Sequence, residues 1–201
     1  MLASVRAKAA LGFWNEAILG PLACEPSVGD TMKRGEIRAK QGALRVRRGT
    51  ARDLFTIARM IRELAKYERL VRHLRVDLKR LRRDGFGRRK YFEVFICERA
   101  EHTLGYALFY FAYSSFTCSP VLFIEDLFVL PEARGQGAGK ALMVALARAA
   151  VRRGCEQMEW IVLDWNRPSI AFYRGLGARL DRAWVLTRLV GAPLGRLARR
   201  R

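Results

Sequence analysis

The sequence predicts an α/β protein built on a mixed central sheet flanked by helices. Three observations carry that expectation. Segments with period-two apolar alternation interleave with segments of helical period. One strand-like run, "LFIEDLFVL", passes through a proline into a glycine-rich loop and then into a long amphipathic stretch. The 201 residues, 51% of them hydrophobic, supply a core for one domain and a short appendage.

The elements follow in order. Residues 1–42 are broken by Gly20, Pro21, Pro26, Gly29 and Gly42 and show no sustained period. They are expected to be a disordered extension, with Met32 as an alternative start; a targeting segment fits less well, because Asn15 and Glu16 interrupt its short apolar run. "LRVRRG" alternates like a short strand, and Thr50 and Asp53 have capping-box spacing ahead of a helix. In that helix Leu54, Ile57, Ala58, Ile61, Leu64 and Ala65 keep the 3.6 period, and it should end near Glu68. "VDLKRLRRDGFGRR" predicts a second, shorter helix closed by Gly85. "YFEVFICE" and "LGYALFYFAY", separated by "RAEHT", read as paired antiparallel strands, followed by "LFIEDLFVL" as a third, stopped by Pro131. A helix is expected over 136–153, with Leu142, Ala145, Leu146, Ala149 and Ala150 inward. "MEWIVLDW" predicts a strand. Asn166 is placed to cap a helix carrying Pro168 in its first turn, where a missing N–H is harmless. "AWVLTRLV" predicts a last strand, closing a domain over 43–190, and residues 191–201 form a basic C-terminal tail.

The net charge is +19, from 38 Lys+Arg against 19 Asp+Glu, spread along the chain. It is either an attraction to polyanions or a solvated arginine-rich surface. No signature of a nucleic-acid-binding module accompanies it, so a nucleic-acid partner is not expected. Cys24, Cys97, Cys118 and Cys155 are widely spaced and His73 and His102 isolated, so no metal site is proposed. Thiols of that kind suit a reducing compartment, and no apolar run approaches the roughly 20 residues of a membrane span; a cytoplasmic protein with no membrane partner is expected.

The stretch "LPEARGQGAGKAL" puts glycines, an arginine and a lysine between strand and helix, a setting in which backbone N–H groups hold phosphate. Two phosphate-loop patterns fail. Gly135, Gly137 and Gly139 run as G-x-G-x-G, not G-x-G-x-x-G, while Arg134 and Ala141 break the G-x-x-x-x-G-K-[ST] pattern. The pattern [RQ]-x-x-G-x-[GA] is met by Arg134, Gly137 and Gly139, and this resembles the coenzyme A loop of the GCN5-related N-acetyltransferases (GNAT). "LAKYE", "DGFG", "LFIEDLFV" and "LDWNRPSIAFYRGLGA" occur in the order and at the separations of that superfamily's diamine acetyltransferase branch, with its spermidine/spermine and thialysine enzymes. The resemblance covers residues 44–189.

That resemblance implies the acyl-CoA N-acyltransferase (GNAT) fold, acetyl-CoA as co-substrate and no metal, a small-molecule primary amine as acceptor (diamine, polyamine or lysine-like amino acid), and a homodimer. It implies site residues too. Glu125 stands at the base position, acting through water, and Tyr173 at the general-acid position. A tyrosine of ordinary pKa, about 10, still carries its proton at neutral pH and can pass it to a thiolate. The backbone of Leu127, Phe128 and Val129 would pair with the pantetheine arm. Arg134, Gly135, Gln136, Gly137, Ala138, Gly139 and Lys140 would hold the pyrophosphate, and Asn166, Arg167, Pro168 and Ser169 would meet the coenzyme near its thioester. Tyr67, Glu68, Ser114 and Asp126 correspond to amine-recognition positions. Read without the motif, Glu125 is an exposed strand-end carboxylate, and Tyr173 is helix packing. A protein amine, an aminoglycoside-type amine and a non-catalytic acyl-CoA-binding module are the alternative functions. Polyamine-specific relatives carry an acid and a tryptophan where this chain has Ser114, Ser115 and Phe116; the serine and the "VLDWN" wording are shared with the thialysine-type branch.

Overall fold

The computed structural model describes residues 42–200, so all but the last residue of the expected extension lie outside the described residues. The chain divides into two compact units, the first ending at Ile161 and the second beginning at Val162.

The first unit carries a five-stranded sheet in the order β1-β2-β3-β4-β5. Strand β1 (Arg45–Arg48) lies antiparallel to β2 (Glu93–Arg99). Arg47 ties this edge together. Its Nη2 donates to Asp53 Oδ1 at 2.8 Å and its Nε to Glu98 Oε2 at 2.8 Å. Asp53 also closes the expected capping box, accepting from the Thr50 N–H at 2.7 Å. The arginine and the cap together hold its carboxyl down at about 2.

Helix α1 (Leu54–Tyr67) follows a single 3-10 turn, Ala51–Asp53, and ends at Glu68 as expected. Of the predicted stripe it buries Leu54, Ile57, Ala58 and Ala65, with Met60 besides, and leaves Ile61 and Leu64 half-buried; Ile57, Met60, Ile61 and Leu64 pack with Val94, Ile96, Tyr106, Leu108 and Phe128 of the sheet. Helix α2 (Leu78–Phe86) starts at Asp77, whose carboxylate accepts from the N–H groups of Lys79 and Arg80. It is closed by Gly87, not by Gly85. Gly85 is buried inside the helix because a Cβ there would stand 2.6 Å from the Phe92 ring, so this glycine permits packing and does not end the helix.

Strands β2 and β3 (His102–Ser114) form the expected antiparallel pair, and the expected third strand, β4 (Ser119–Val129), pairs antiparallel with β3 and starts three residues earlier than the apolar run suggests. Helix α3 is Ala138–Arg152, after a 3-10 turn at Pro131–Ala133. It buries Leu142, Leu146, Ala149 and Ala150 as predicted, with Ala138 and Met143 besides; Ala145 is only half-buried. Strand β5 (Gln157–Trp160) is parallel to β4 but spans four residues, half the expected run.

The second unit holds α4 (Arg167–Gly175), capped by Asn166 as expected, and α5 (Ala192–Ala198). The predicted last strand "AWVLTRLV" is absent: residues 183–190 form no strand, and Trp184, Val185, Leu186, Leu189 and Val190 are exposed. Alternation shows that a segment can lie in a ladder, but the ladder itself needs a neighbouring strand with free hydrogen-bonding groups.

Candidate active site

The pairing pattern of β4 sets the geometry. Its parallel pairs with β5 stop at Ile124 with Trp160, whereas its antiparallel pairs with β3 continue to Val129 with Gly105. From Glu125 onward, therefore, β4 has a strand on one side only among the described residues. The backbone of Leu127, Phe128 and Val129 presents an open edge, the arrangement to which an extended, hydrogen-bonding ligand adds as if it were a strand.

At the point where the sheet opens, the β3–β4 register slips. Leu108 faces Asp126 and Phe109 faces Ile124, leaving Glu125 as the extra residue of a bulge. A bulge re-aims side chains, and Glu125 is exposed where strict alternation would have governed it.

Asp126 turns the other way. The hydroxyl of Tyr106, fully buried on β3, donates to Asp126 Oδ2 at 2.8 Å. Burial pushes the Asp126 carboxyl up to about 6; the Tyr106 hydrogen bond opposes that rise, and the charges of Glu125 and Glu68 add to it. Burial raises the Glu68 carboxyl as well, at the C-cap of α1. Three carboxyl groups and a phenol from α1, β3 and β4 thus share one end of the sheet.

Tyr67, beside Glu68, packs its ring 6.4 Å from that of Phe128. Arg134 lies over the same two rings, 4.5 Å from Tyr67 and 5.9 Å from Phe128, and its Nε donates to the Val129 carbonyl at 3.2 Å. The first residue of the glycine loop therefore sits on one residue expected to meet the amine, Tyr67, and one expected to meet the coenzyme arm, Phe128.

The loop is open and exposed. Gly135 and Gly137 lie in the left-handed region, at φ of 71° and 87°, where other residues are strained. Gly137 is the N-cap of α3 and supplies no side-chain cap, so the first-turn N–H groups at Ala138, Gly139 and Lys140 remain available to an anion at the positive end of the helix. Gln136 is held by its neighbours, donating to the Glu132 carbonyl at 2.8 Å and accepting from Arg99 at 2.6 Å. An uncapped helix start beside an open strand edge fits a ligand with a phosphate at one end and an amide-bearing arm at the other.

In the second unit, buried Asn166 caps α4 by accepting from the Ser169 N–H at 3.3 Å, with Arg167 and Pro168 opening that helix. Tyr173 is buried on α4 beside the Phe172 ring. Ser114 is not brought to Asp126. It ends β3, six residues beyond the partner of Asp126, or about 20 Å along the strand at the usual rise. It is buried and accepts from the Thr117 N–H in the hairpin turn.

Sequence reasoning missed Tyr106. The available signal was a phenol inside the apolar run "LGYALFYF": a tyrosine buried mid-strand needs an acceptor, and the next strand offered Asp126.

The model of the acetyltransferase (GNAT) family matches residues 57–178. The chain belongs to that family. It is 35% identical over 167 residues to the mouse thialysine N-epsilon-acetyltransferase, covering 78% of this chain and 98% of that one. The pig protein of the same name is 38% identical over 142 residues, 67% of this chain and 83% of the relative. Among solved structures, an integron cassette protein from the mobile metagenome of V. cholerae superposes with a TM-score of 0.66 at 25% identity, covering 78% of this chain and 98% of that one. The chain is thus an N-acetyltransferase of a family that uses acetyl-CoA, and its sheet and helices form the expected fold.

Proposed function

We propose that this acetyltransferase moves the acetyl group of acetyl-CoA onto the primary amine of a small, lysine-like or diamine substrate, with a thialysine-type amine as the first candidate. The observation that carries the reading is the end of β4, where an open backbone edge, an uncapped helix start and a bulged glutamate adjoin a cluster of carboxyl groups. The thialysine acetyltransferases supply the substrate class.

The coenzyme supplies an acetyl group activated as a thioester. The first-turn N–H groups of α3, with Gly135 to Lys140, would hold its pyrophosphate and Leu127 to Val129 its arm, and the family resemblance assigns Asn166 to Ser169 of the second unit to contacts at the thioester end. A lysine-like amine has a pKa of about 10.4, so removing its proton at pH 7 costs on the order of 4.6 kcal/mol. Glu125 Oε takes that proton, through water. Glu68, Asp126 and the Tyr67 ring orient the cation before it is deprotonated. The Tyr173 hydroxyl protonates the departing thiolate. Ser114, far along β3 within its own chain, is read as a turn residue that leaves the amine end without a further acid.

The protein is read as cytoplasmic, supported by three free thiols among the described residues, Cys97, Cys118 and Cys155. No helix among those residues is long and apolar enough to cross a membrane. It is read as a homodimer, supported by the exposed apolar run from Trp184 to Leu197 in the second unit; sedimentation as a monomer at micromolar concentration would remove that reading.

A turnover panel with acetyl-CoA tests the function, with thialysine, lysine, ornithine, putrescine, spermidine and an aminoglycoside as amines. Thialysine and its close analogues should show the highest kcat/KM. Tight coenzyme binding with no turnover of any amine would refute the catalytic reading, and preference for the aminoglycoside would refute the substrate class.

A further inference from the structure

We infer that Tyr106 is a positioning residue for the reaction: its buried hydroxyl fixes one oxygen of Asp126 and thereby sets how that carboxylate meets the amine. The inference rests on the reading of Asp126 as an amine-binding residue.

The geometry is specific. Tyr106 has no exposed surface, and its ring belongs to the apolar core with Ile57, Met60, Ile96 and Phe128. Only its hydroxyl reaches out of that core, and it reaches Asp126 Oδ2 at 2.8 Å. The ring is held by α1 and the sheet, so the oxygen it grips cannot swing with the rotamers of a surface carboxylate. One oxygen of Asp126 is occupied and the other is left for a donor such as an ammonium.

The hydroxyl also acts on charge. Around Asp126 stand Tyr106 from β3, Glu68 from the end of α1 and Glu125 from β4 itself, with Arg134 above the adjoining Tyr67 and Phe128 rings. Burial and the two glutamates favour the neutral acid, and the Tyr106 hydroxyl favours the anion, leaving the carboxyl at about 6. Removing the hydroxyl shifts the balance toward the neutral form, which holds a cation poorly. The phenol is itself pushed upward by its burial and by Asp126, so it remains a donor throughout the working range.

The test uses the full chain with thialysine as the amine. Tyr106→Phe should raise the amine KM about tenfold at pH 7, the scale of a lost hydrogen bond to a charged group, with acetyl-CoA KM unchanged. The acid limb of kcat/KM should move to higher pH. In protein carrying 13C-labelled aspartate, the Asp126 carboxyl should titrate at higher pH in the variant, a measurement that needs no turnover. In an Asp126→Asn background the same substitution should add little, because the group it positions is gone. Replacing Tyr106 by 3,5-difluorotyrosine, a near-isosteric and stronger donor, should move the titration downward, and it covers the case in which the phenylalanine variant does not fold. An Asp126 titration unmoved by these changes, or equal KM penalties in both backgrounds, overturns the inference. An amine KM unchanged by Asp126→Asn alone overturns the amine-site reading instead, whatever the titration shows.

Discussion

Gly105→Ala tests the link between the sheet and the coenzyme edge. Gly105 pairs with Val129, and a Cβ there would stand 2.6 Å from the Phe128 carbonyl oxygen and 3.2 Å from Val129 Cα. Both are backbone atoms of β4, so no side chain can rotate away. A methyl at this site has to push the strand aside by at least about 0.4 Å, and such overpacking typically costs about 1–3 kcal/mol. Against it, alanine restricts the unfolded chain by about 0.4–1 kcal/mol. The clash wins, for a net loss of about 1–2 kcal/mol and a fall in Tm of roughly 2–8 °C for a domain of this size. The displaced atoms belong to the edge proposed for the pantetheine arm, so the KM for acetyl-CoA should rise while the amine KM moves less. Thermal unfolding and initial rates on one preparation suffice. An unchanged or raised Tm would show that β3 and β4 are not in this contact, and a lowered Tm with unaltered acetyl-CoA KM would detach the edge from the coenzyme.

Three further outcomes are expected. Tyr173→Phe should lower kcat about 10²- to 10⁴-fold with acetyl-CoA affinity retained, and a normal kcat removes Tyr173 from the chemistry. Gly137→Val, at a φ of 87°, should weaken acetyl-CoA binding measured by calorimetry, since a β-branched residue strains the loop and crowds the helix start; an unchanged Kd makes the loop a plain turn. Asp53→Asn should cost about 1 kcal/mol at pH 7, because the Arg47–Asp53 pair lies partly in solvent and its charges are screened. The Asp53 carboxyl is lowered in the fold from its ordinary 3.8 to about 2, so its contribution is present above about 3.8 and lost as pH falls through about 2. Wild type and variant should converge in urea stability at that acid limit, and a gap independent of pH would refute the linkage.

Local signals were legible in the sequence where neighbours along the chain decide the structure. Thr50 with Asp53, and Asn166 with Pro168, announce helix starts within three residues, and the β2–β3 hairpin follows from alternation broken by a polar turn. What depended on partners distant in sequence was not. The bulge at Glu125 is a property of β3 and β4 together, and neither strand's alternation reveals it. The arginine of the loop, Arg134, was legible as a loop residue but not as the cover of Tyr67, 67 positions earlier in the chain. Gly85 resembled a helix terminator because the ring of Phe92 that demands it lies beyond the helix. Residues 183–190 carried the alternation of a strand without a ladder to join.

The succession of hairpins from β2 to β4 bears on how the protein is made. Their turns are short, and Ala100 and Glu101, joining β2 to β3, both take positive φ to close one of them in two residues. Such contacts form by local chain closure, the fastest kind, whereas a parallel strand must wait for its crossover. Every residue of the β3–β4 hairpin has been synthesised by Val129, while β5 is complete only at Trp160, about 30 residues later. At the usual elongation rates that interval is roughly 2–6 s. For that time the hairpin joining Tyr106 to Asp126 can close while β4 still lacks β5 along its other edge, so the nascent chain passes through a stage in which a half-covered strand is open to any extended peptide nearby.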